Sequence, residues 1–283
     1  MRTLVKSATS EIEIRTDGPV VMIGEKINPT GRKRLGLALR ERDFDYVLQI
    51  ASAQVEAGAH VLDVNVSEPG LDDTSLLAET VKVLVDRLQV PLCLDSNNPK
   101  ALAVALQVAP GKPLVNSVSG EARKLQEILP VVKDRGAAVI GLTMDDSGIP
   151  ADPEARLTIA GRILEHAARI NIPAEDVIID PLVLTVGADQ RAATVTLKTI
   201  ELVRRQFGVN INLGASNVSF GLPDRHTINQ VFLAMAIAAG ASSVITDPEK
   251  LAAAVLASDL LAGRDPFGKR YLTNARKRQI LPR

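Results

Sequence analysis

The stretch Val20-Val21-Met22-Ile23-Gly24-Glu25-Lys26-Ile27-Asn28-Pro29-Thr30-Gly31 passes from four apolar residues straight into polar ones. A short apolar run bounded by Gly and Pro reads as a strand buried on both faces, the kind found in parallel sheets. The same transition recurs down the chain. Asp63 and Asn65 close one apolar run, Asp95 and Asn116 the next two, and Asp180 and Asn217 follow much later. Carboxylates and amides that gather where strands end point to a barrel with one polar mouth.

Working outward from that stretch, strands are predicted at 20–23, 60–66, 91–95, 113–117, 138–144, 177–180, 210–214 and 242–246. Helical periodicity fills 43–57, 74–88, 99–107, 121–135, 153–170, 191–207, 227–239 and 248–262. Eight of each in strict alternation predict an α/β fold, a (β/α)8 TIM barrel, with a doubly wound open sheet as the alternative. Helix punctuation supports the cuts. Asp152-Pro153 and Asp247-Pro248 read as a cap followed by Pro in the first turn, and Gly58, Gly136 and Gly240 as stops. A single barrel domain is expected over 1–283. Residues 1–19 form an extension with a hairpin strand at 11–14 on the barrel floor, and 264–283 a basic, solvated tail.

Composition bounds the function. The 33 basic residues balance 33 acidic ones, so nothing draws the chain as a whole to nucleic acid or to an anionic membrane. Aromatics are 2% with no Trp, which disfavours base-stacking and sugar-stacking platforms. The single Cys93, in Leu92-Cys93-Leu94, reads as a small buried hydrophobe. His60, His166 and His226 show no metal-ligand spacing, so no protein-bound metal is expected. The N-terminal residues lack a signal-type apolar segment and 231–239 is too short to span a bilayer, so a cytoplasmic enzyme is expected.

In a barrel the strand C-termini share one mouth. Glu25, Asn28, Asp63, Asn65, Asp95, Asn116, Met144, Asp180 and Asn217 are then gathered there. No Lys stands in the 177–180 run to form a Schiff base, and no His stands among the strand-end residues. What remains suits a neutral heterocycle with adjacent N–H donors. A carboxylate accepts a ring N–H and an exocyclic amine together, and an amide serves the neighbouring nitrogen and carbonyl.

The stretches Ile23-Gly24-Glu25-Lys26-Ile27-Asn28, Leu62-Asp63-Val64-Asn65-Val66, Leu92-Cys93-Leu94-Asp95-Ser96, Val115-Asn116-Ser117, Ile140-Gly141-Leu142-Thr143-Met144, Ile179-Asp180-Pro181-Leu182 and Leu213-Gly214-Ala215-Ser216-Asn217-Val218-Ser219 resemble, in order, the pterin-binding family. The resemblance is greatest to its methyltetrahydrofolate:corrinoid-protein methyltransferase branch. It implies a methyl transfer between N5 of tetrahydrofolate and the cobalt of a corrinoid (cobalamin) on a separate protein. It also implies that Asp95, Asn116 and Asp180 hold the pterin, with Gly214 and Ser216 flanking it and Arg225 reaching the outer folate or shaping its loop. Asn217 would stand beside the methyl-bearing nitrogen as the catalytic residue. Glu25, Asn28, Asp63 and Asn65 would relay protons or support the site. Acetogen-type members often carry Gln after Ser-Asn-Val-Ser, where this chain has Phe220.

The resemblance further implies a homodimer through helices away from the mouth. A transient, salt-sensitive complex with the corrinoid protein is expected, docked at the basic rim Arg32, Lys33 and Arg34. Two alternatives stand beside it. A dihydropteroate synthase-like enzyme would carry a Lys after strand seven and an Arg/His pair near strand eight, where this chain reads Gly-Ala-Ser-Asn-Val-Ser and Val244-Ile245-Thr246-Asp247. A folate-binding protein without turnover would share the pocket. The piece Asp224-Arg225-His226 half-resembles a cobalt-ligand motif, but it falls in a barrel loop, where His226 reads as a helix-start residue.

Overall fold

The structure, a computed structural model, describes residues 1–279. An N-terminal antiparallel hairpin, β1 (Arg2–Lys6) and β2 (Glu11–Arg15), precedes the barrel. Seven parallel strands follow: β3 (Val21–Ile27), β4 (Val61–Val64), β5 (Leu92–Asp95), β6 (Leu114–Ser119), β7 (Ala138–Leu142), β8 (Val177–Asp180) and β9 (Ser243–Thr246). They are ordered β8-β7-β6-β5-β4-β3-β9. Residues 210–214 close the ring between β8 and β9 as the eighth staves of the barrel. They do so by parallel bridges, Ile179 to Ile211 and Gly214 to Ile245, rather than by a full ladder. The Asn212 amide donates to the Ile179 carbonyl at 2.9 Å and the Ile245 amide to the Leu213 carbonyl at 2.9 Å.

The predicted helices appear as α2 (Phe44–Glu56), α3 (Asp73–Arg87), α4 (Pro99–Val108), α5 (Ala122–Arg135), α6 (Pro153–Arg169), α7 (Ala192–Phe207), α8 (Arg225–Ala239) and α9 (Pro248–Leu261). Two further helices were not anticipated, α1 (Lys33–Glu41) and α10 (Lys269–Lys277). Asp152 and Asp247 cap α6 and α9 by accepting the Ala155 and Glu249 amides. Gly58, Gly136 and Gly240 all take positive φ, the left-handed stop that Gly adopts without a Cβ clash.

Period-two alternation splits the apolar residues of the strands between two layers. Val21, Ile23, Val61, Cys93, Leu114, Ala138, Ile140 and Ile178 point into the barrel. Met22, Leu62, Leu94, Val115, Val139 and Ile179 pack outward against the helices. The hairpin completes the inner layer with Val5 and Ile14, both fully buried. Its anchors are polar and lie at the strand N-termini. Lys6 and Lys112 exchange backbone bonds, and Asn210 donates to Thr3 Oγ1 at 2.9 Å and to the Ile14 carbonyl at 2.8 Å. The hairpin therefore plugs the floor and leaves the opposite end as the mouth.

Two expectations are corrected. The first strand runs to Ile27, not Ile23, because the buried Gln54 of α2 accepts the Lys26 amide at 2.8 Å. That approach requires Gly24, where a Cβ would stand 2.6 Å from Gln54 Oε1, and it coincides with a register shift against β4. The described part of the basic tail is not loose. Asp265 caps α10 by accepting the Arg270 and Tyr271 amides, and Arg270 donates to the buried Asp259 at 2.8 Å. Residues 280–283 of that tail lie outside the described residues. Among the described residues no helix is long and apolar enough to cross a membrane.

Candidate functional site at the barrel mouth

The parallel register sets the strand-end side chains at similar heights. Asp95 pairs with Asn116, and Leu142 with Asp180. Asn116 Nδ2 donates to Asp63 Oδ1 at 3.0 Å and Asn65 Nδ2 to Asp95 Oδ2 at 2.9 Å. Two neighbouring carboxyls therefore each hold one amide. Burial, then the charge of Asp95, pushes Asp63 well above the usual carboxylate range. Burial also raises Asp95, against the bonds it receives from Asn65 and Asp63. Two close carboxyls do not ionise together cheaply, and both stand above the usual carboxylate range.

Asp180, 5% exposed, ends β8. Its Oδ1 accepts the Leu182 amide at 2.8 Å and its Oδ2 accepts Asn212 Nδ2 at 3.0 Å. Burial lifts it to about 6, although these two donors and Arg156 pull it down. The tight turn puts Leu182 at φ +61, a conformation costly for a residue with a Cβ. The Leu182 carbonyl is held by Arg156 at 2.9 Å and by Thr196 at 2.8 Å. Arg156 is 1% exposed and also donates to the Pro181 carbonyl at 2.7 Å and the Pro150 carbonyl at 2.7 Å, so its side-chain hydrogen bonds all go to backbone.

The third cluster joins the two ends of the chain's barrel. Gly214 precedes a 3-10 turn, Ala215–Ser219, that carries Ser216 and Asn217. Ser216 Oγ lies 3.2 and 3.1 Å from the two oxygens of Glu25. Burial raises Glu25, with the Ser216 bond opposing. Arg225, the first residue of α8, donates to the Ser216 carbonyl at 2.7 Å and to Ser219 Oγ at 3.1 Å, and its guanidinium lies 5.7 Å from the Phe220 ring centroid. Arg225 therefore shapes the loop. Asn217 follows directly, its side-chain nitrogen close over Gly214. Asn28 stands apart from these clusters, accepting the Thr30 amide to fix the turn after β3. Arg32 holds the Asn28 carbonyl at 3.2 Å, and Arg34 stacks on Tyr46 at 4.1 Å.

Sequence reasoning missed Asn212 and Arg156. Asn212 bridges Asp180 to Ser243, whose Oγ donates to Asn212 Oδ1 at 3.1 Å. A signal was present, because Asn210, Asn212 and Gly214 alternate with apolar residues and so share one face of the closing strand. Arg156, inside a helix, gave none. Among the described residues no group of three His, Cys, Asp or Glu side chains is placed to hold a metal.

The site is the polar mouth of a plugged (β/α)8 barrel, walled by buried carboxyls and amides, the place where barrels of this class bind small ligands. The chain belongs to the pterin binding enzyme family, whose model matches residues 24–247. It is 30% identical over 271 residues to a methylcorrinoid:tetrahydrofolate methyltransferase of Eubacterium limosum, covering 93% of this chain and 98% of that one. It is also 30% identical to a methionine synthase of Mycobacterium tuberculosis, matching 87% of this chain but spanning 22% of that longer protein. Among solved structures, Yersinia pestis dihydropteroate synthase superposes with a TM-score of 0.71 at 17% identity over 93% of this chain and 100% of that one. Coxiella burnetii dihydropteroate synthase, in complex with pteroic acid, gives 0.68 at 14% identity over 92% and 99%. At such identities these structures share the fold alone.

Proposed function

We propose that this protein transfers a methyl group between N5 of tetrahydrofolate and the cobalt of a corrinoid carried by a separate protein. One observation carries the reading. Asp95 and Asp180, each holding an amide, and Asn116, held by the Asp63 carboxyl, stand around the mouth in a chain 30% identical over nearly its whole length to a methylcorrinoid:tetrahydrofolate methyltransferase. Asp180 accepts paired N–H donors of the pterin, and Asn116 and Asp95 serve its other edge. Gly214 leaves room beside the ring, and Ser216, held by Glu25, flanks it. Asn65 supports this wall through Asp95, and Asn28 fixes the turn after β3 beside the mouth.

The corrinoid supplies a nucleophilic metal centre that accepts or returns the methyl group. This chain's residues supply the rest. A tertiary amine is a poor leaving group, so N5 needs hydrogen bonding or a proton as the methyl departs. Asn217 donates an amide there, a contact that strengthens as charge shifts. Asp63 and Asp95, both raised and both at the same mouth, are the groups that hold a proton for N5.

A homodimer is supported by the later turns of α8, where the exposed residues Val231, Ala234, Met235 and Ala238 are all apolar at helical spacing, with Val231 55% and Met235 47% exposed. The corrinoid protein is a transient partner, and the chemistry fits the cytoplasm.

The test is single-turnover transfer from methyltetrahydrofolate to a reduced corrinoid protein, read by corrinoid absorbance, in wild type and Asn217→Ala. The rate constant should fall by at least tenfold more than the affinity for methyltetrahydrofolate. Equal losses would reduce Asn217 to a positioning role. Absence of transfer by wild type, with folate binding intact, would leave a folate-binding protein without turnover.

A further inference from the structure

One cavity among the described residues lies away from the mouth. It is a groove of about 800 Å³ along the outside of the barrel, between α9 and α10 and reaching the end of α2. We propose that this groove binds the oligo-γ-glutamyl tail of a folate whose pterin occupies the mouth. The proposal rests on the function proposed above and extends it to the charged end of the substrate.

Three observations carry it. The first is charge. Lys250, Lys269, Arg270, Lys277 and Arg278 line the groove against two carboxylates, Glu56 and Glu249. Glu249 is already paired with Lys26, and among the described residues Lys269, Lys277 and Arg278 form no ion pair. An extended chain of carboxylates meets a row of cations there.

The second is an unfilled acceptor position at the deep end. His60 Nδ1 accepts the Met22 amide at 2.9 Å, so Nδ1 is unprotonated and the neutral ring carries its hydrogen on Nε2. The polar atom facing Nε2 is Arg270 Nη2 at 3.3 Å, itself only a donor. Arg270 Nη2 also reaches the Val20 carbonyl at 3.4 Å, so the donor left without an acceptor is His60 Nε2–H. A carboxylate oxygen there accepts from His60 and pairs with Arg270. Burial and then Arg270 hold His60 down at about 4, so the ring stays neutral at physiological pH and does not meet this need by titrating.

The third is continuity with the mouth. His226 and Glu249 line the upper end of the groove. His226 follows Arg225, which holds the Ser216 carbonyl, and Glu249 binds Lys26, which follows Glu25. A tail that leaves the mouth over Ser216 thus meets the groove at the next residues of the rim.

The experiment measures Kd by calorimetry for tetrahydrofolate monoglutamate and pentaglutamate, with wild type and the double variant Lys269→Glu/Lys277→Glu. Neither lysine side chain is bonded elsewhere among the described residues, so the fold should survive, which circular dichroism checks. Wild type should bind the pentaglutamate about tenfold more tightly, the sum of a few exposed ion pairs. The double variant should lose that preference and keep its monoglutamate affinity. Equal affinities in wild type, or a preference that survives in the variant, would overturn the proposal while leaving the pterin reading standing. Failure of wild type to bind the monoglutamate at all would overturn both.

Discussion

Replacing Asp180 by Asn keeps the shape of the side chain and removes its charge. The magnitude follows from the structure. Asp180 is raised to about 6 by burial, with its two oxygens already accepting the Leu182 amide and Asn212 Nδ2. At pH 7.5 almost all molecules carry the ionised carboxylate, and at pH 5 about 9% do. A pterin that presents two N–H donors binds the ionised form, so Asp180 alone weakens wild-type binding by about tenfold, ~1.4 kcal/mol, between those pH values. Asp180→Asn starts weaker by roughly 2–4 kcal/mol, having lost a charge-assisted pair. It has nothing at this position to titrate. The ratio of variant to wild-type Kd, measured by calorimetry, should therefore shrink about tenfold from pH 7.5 to pH 5. Titration of Asp63, Asp95 and Glu25 occurs in both proteins and largely cancels in the ratio.

Folding of the ligand-free protein gives the opposite sign. The folded-state value lies above the ordinary one, so ionisation opposes folding. The stability linked to the protonated form is complete below about pH 4 and lost as pH rises through about 6. Wild type should lose about 3 kcal/mol relative to Asp180→Asn across that window. A Kd ratio that stays flat with pH would refute the assignment of Asp180 as the ionised pterin acceptor.

Two further outcomes are expected. Asn212→Ala removes a buried donor from Asp180 and an acceptor from Ser243, so thermal or denaturant unfolding should show a loss of roughly 1–3 kcal/mol, and the pH midpoint of pterin binding should move above that of wild type. Met235→Glu places a charge in the apolar stripe of α8 and should convert a dimer to a monomer in sedimentation or light scattering, with the fold intact. A monomeric wild type at micromolar concentration would remove the dimer.

What the sequence determined by itself was local. Alternating apolar runs and amphipathic stretches, with Asp-Pro starts and Gly stops, specify strand and helix through backbone geometry that neighbours in the chain impose. Barrel topology then sends every strand end to one mouth, so Asp63, Asp95, Asn116 and Asp180 could be gathered from their positions alone. The tertiary structure decided which of them touch. Ser216 reaches Glu25 across 191 residues of sequence, Asn116 reaches Asp63 across 53, and Asn212 reaches Asp180 across 32. The Gln54 contact that lengthens β3, the bridging of 210–214 without a ladder, and the burial that lifts Asp180 to about 6 arise the same way. Hydrogen bonds and desolvation depend on distance in space, and no local pattern encodes that distance until the core has packed.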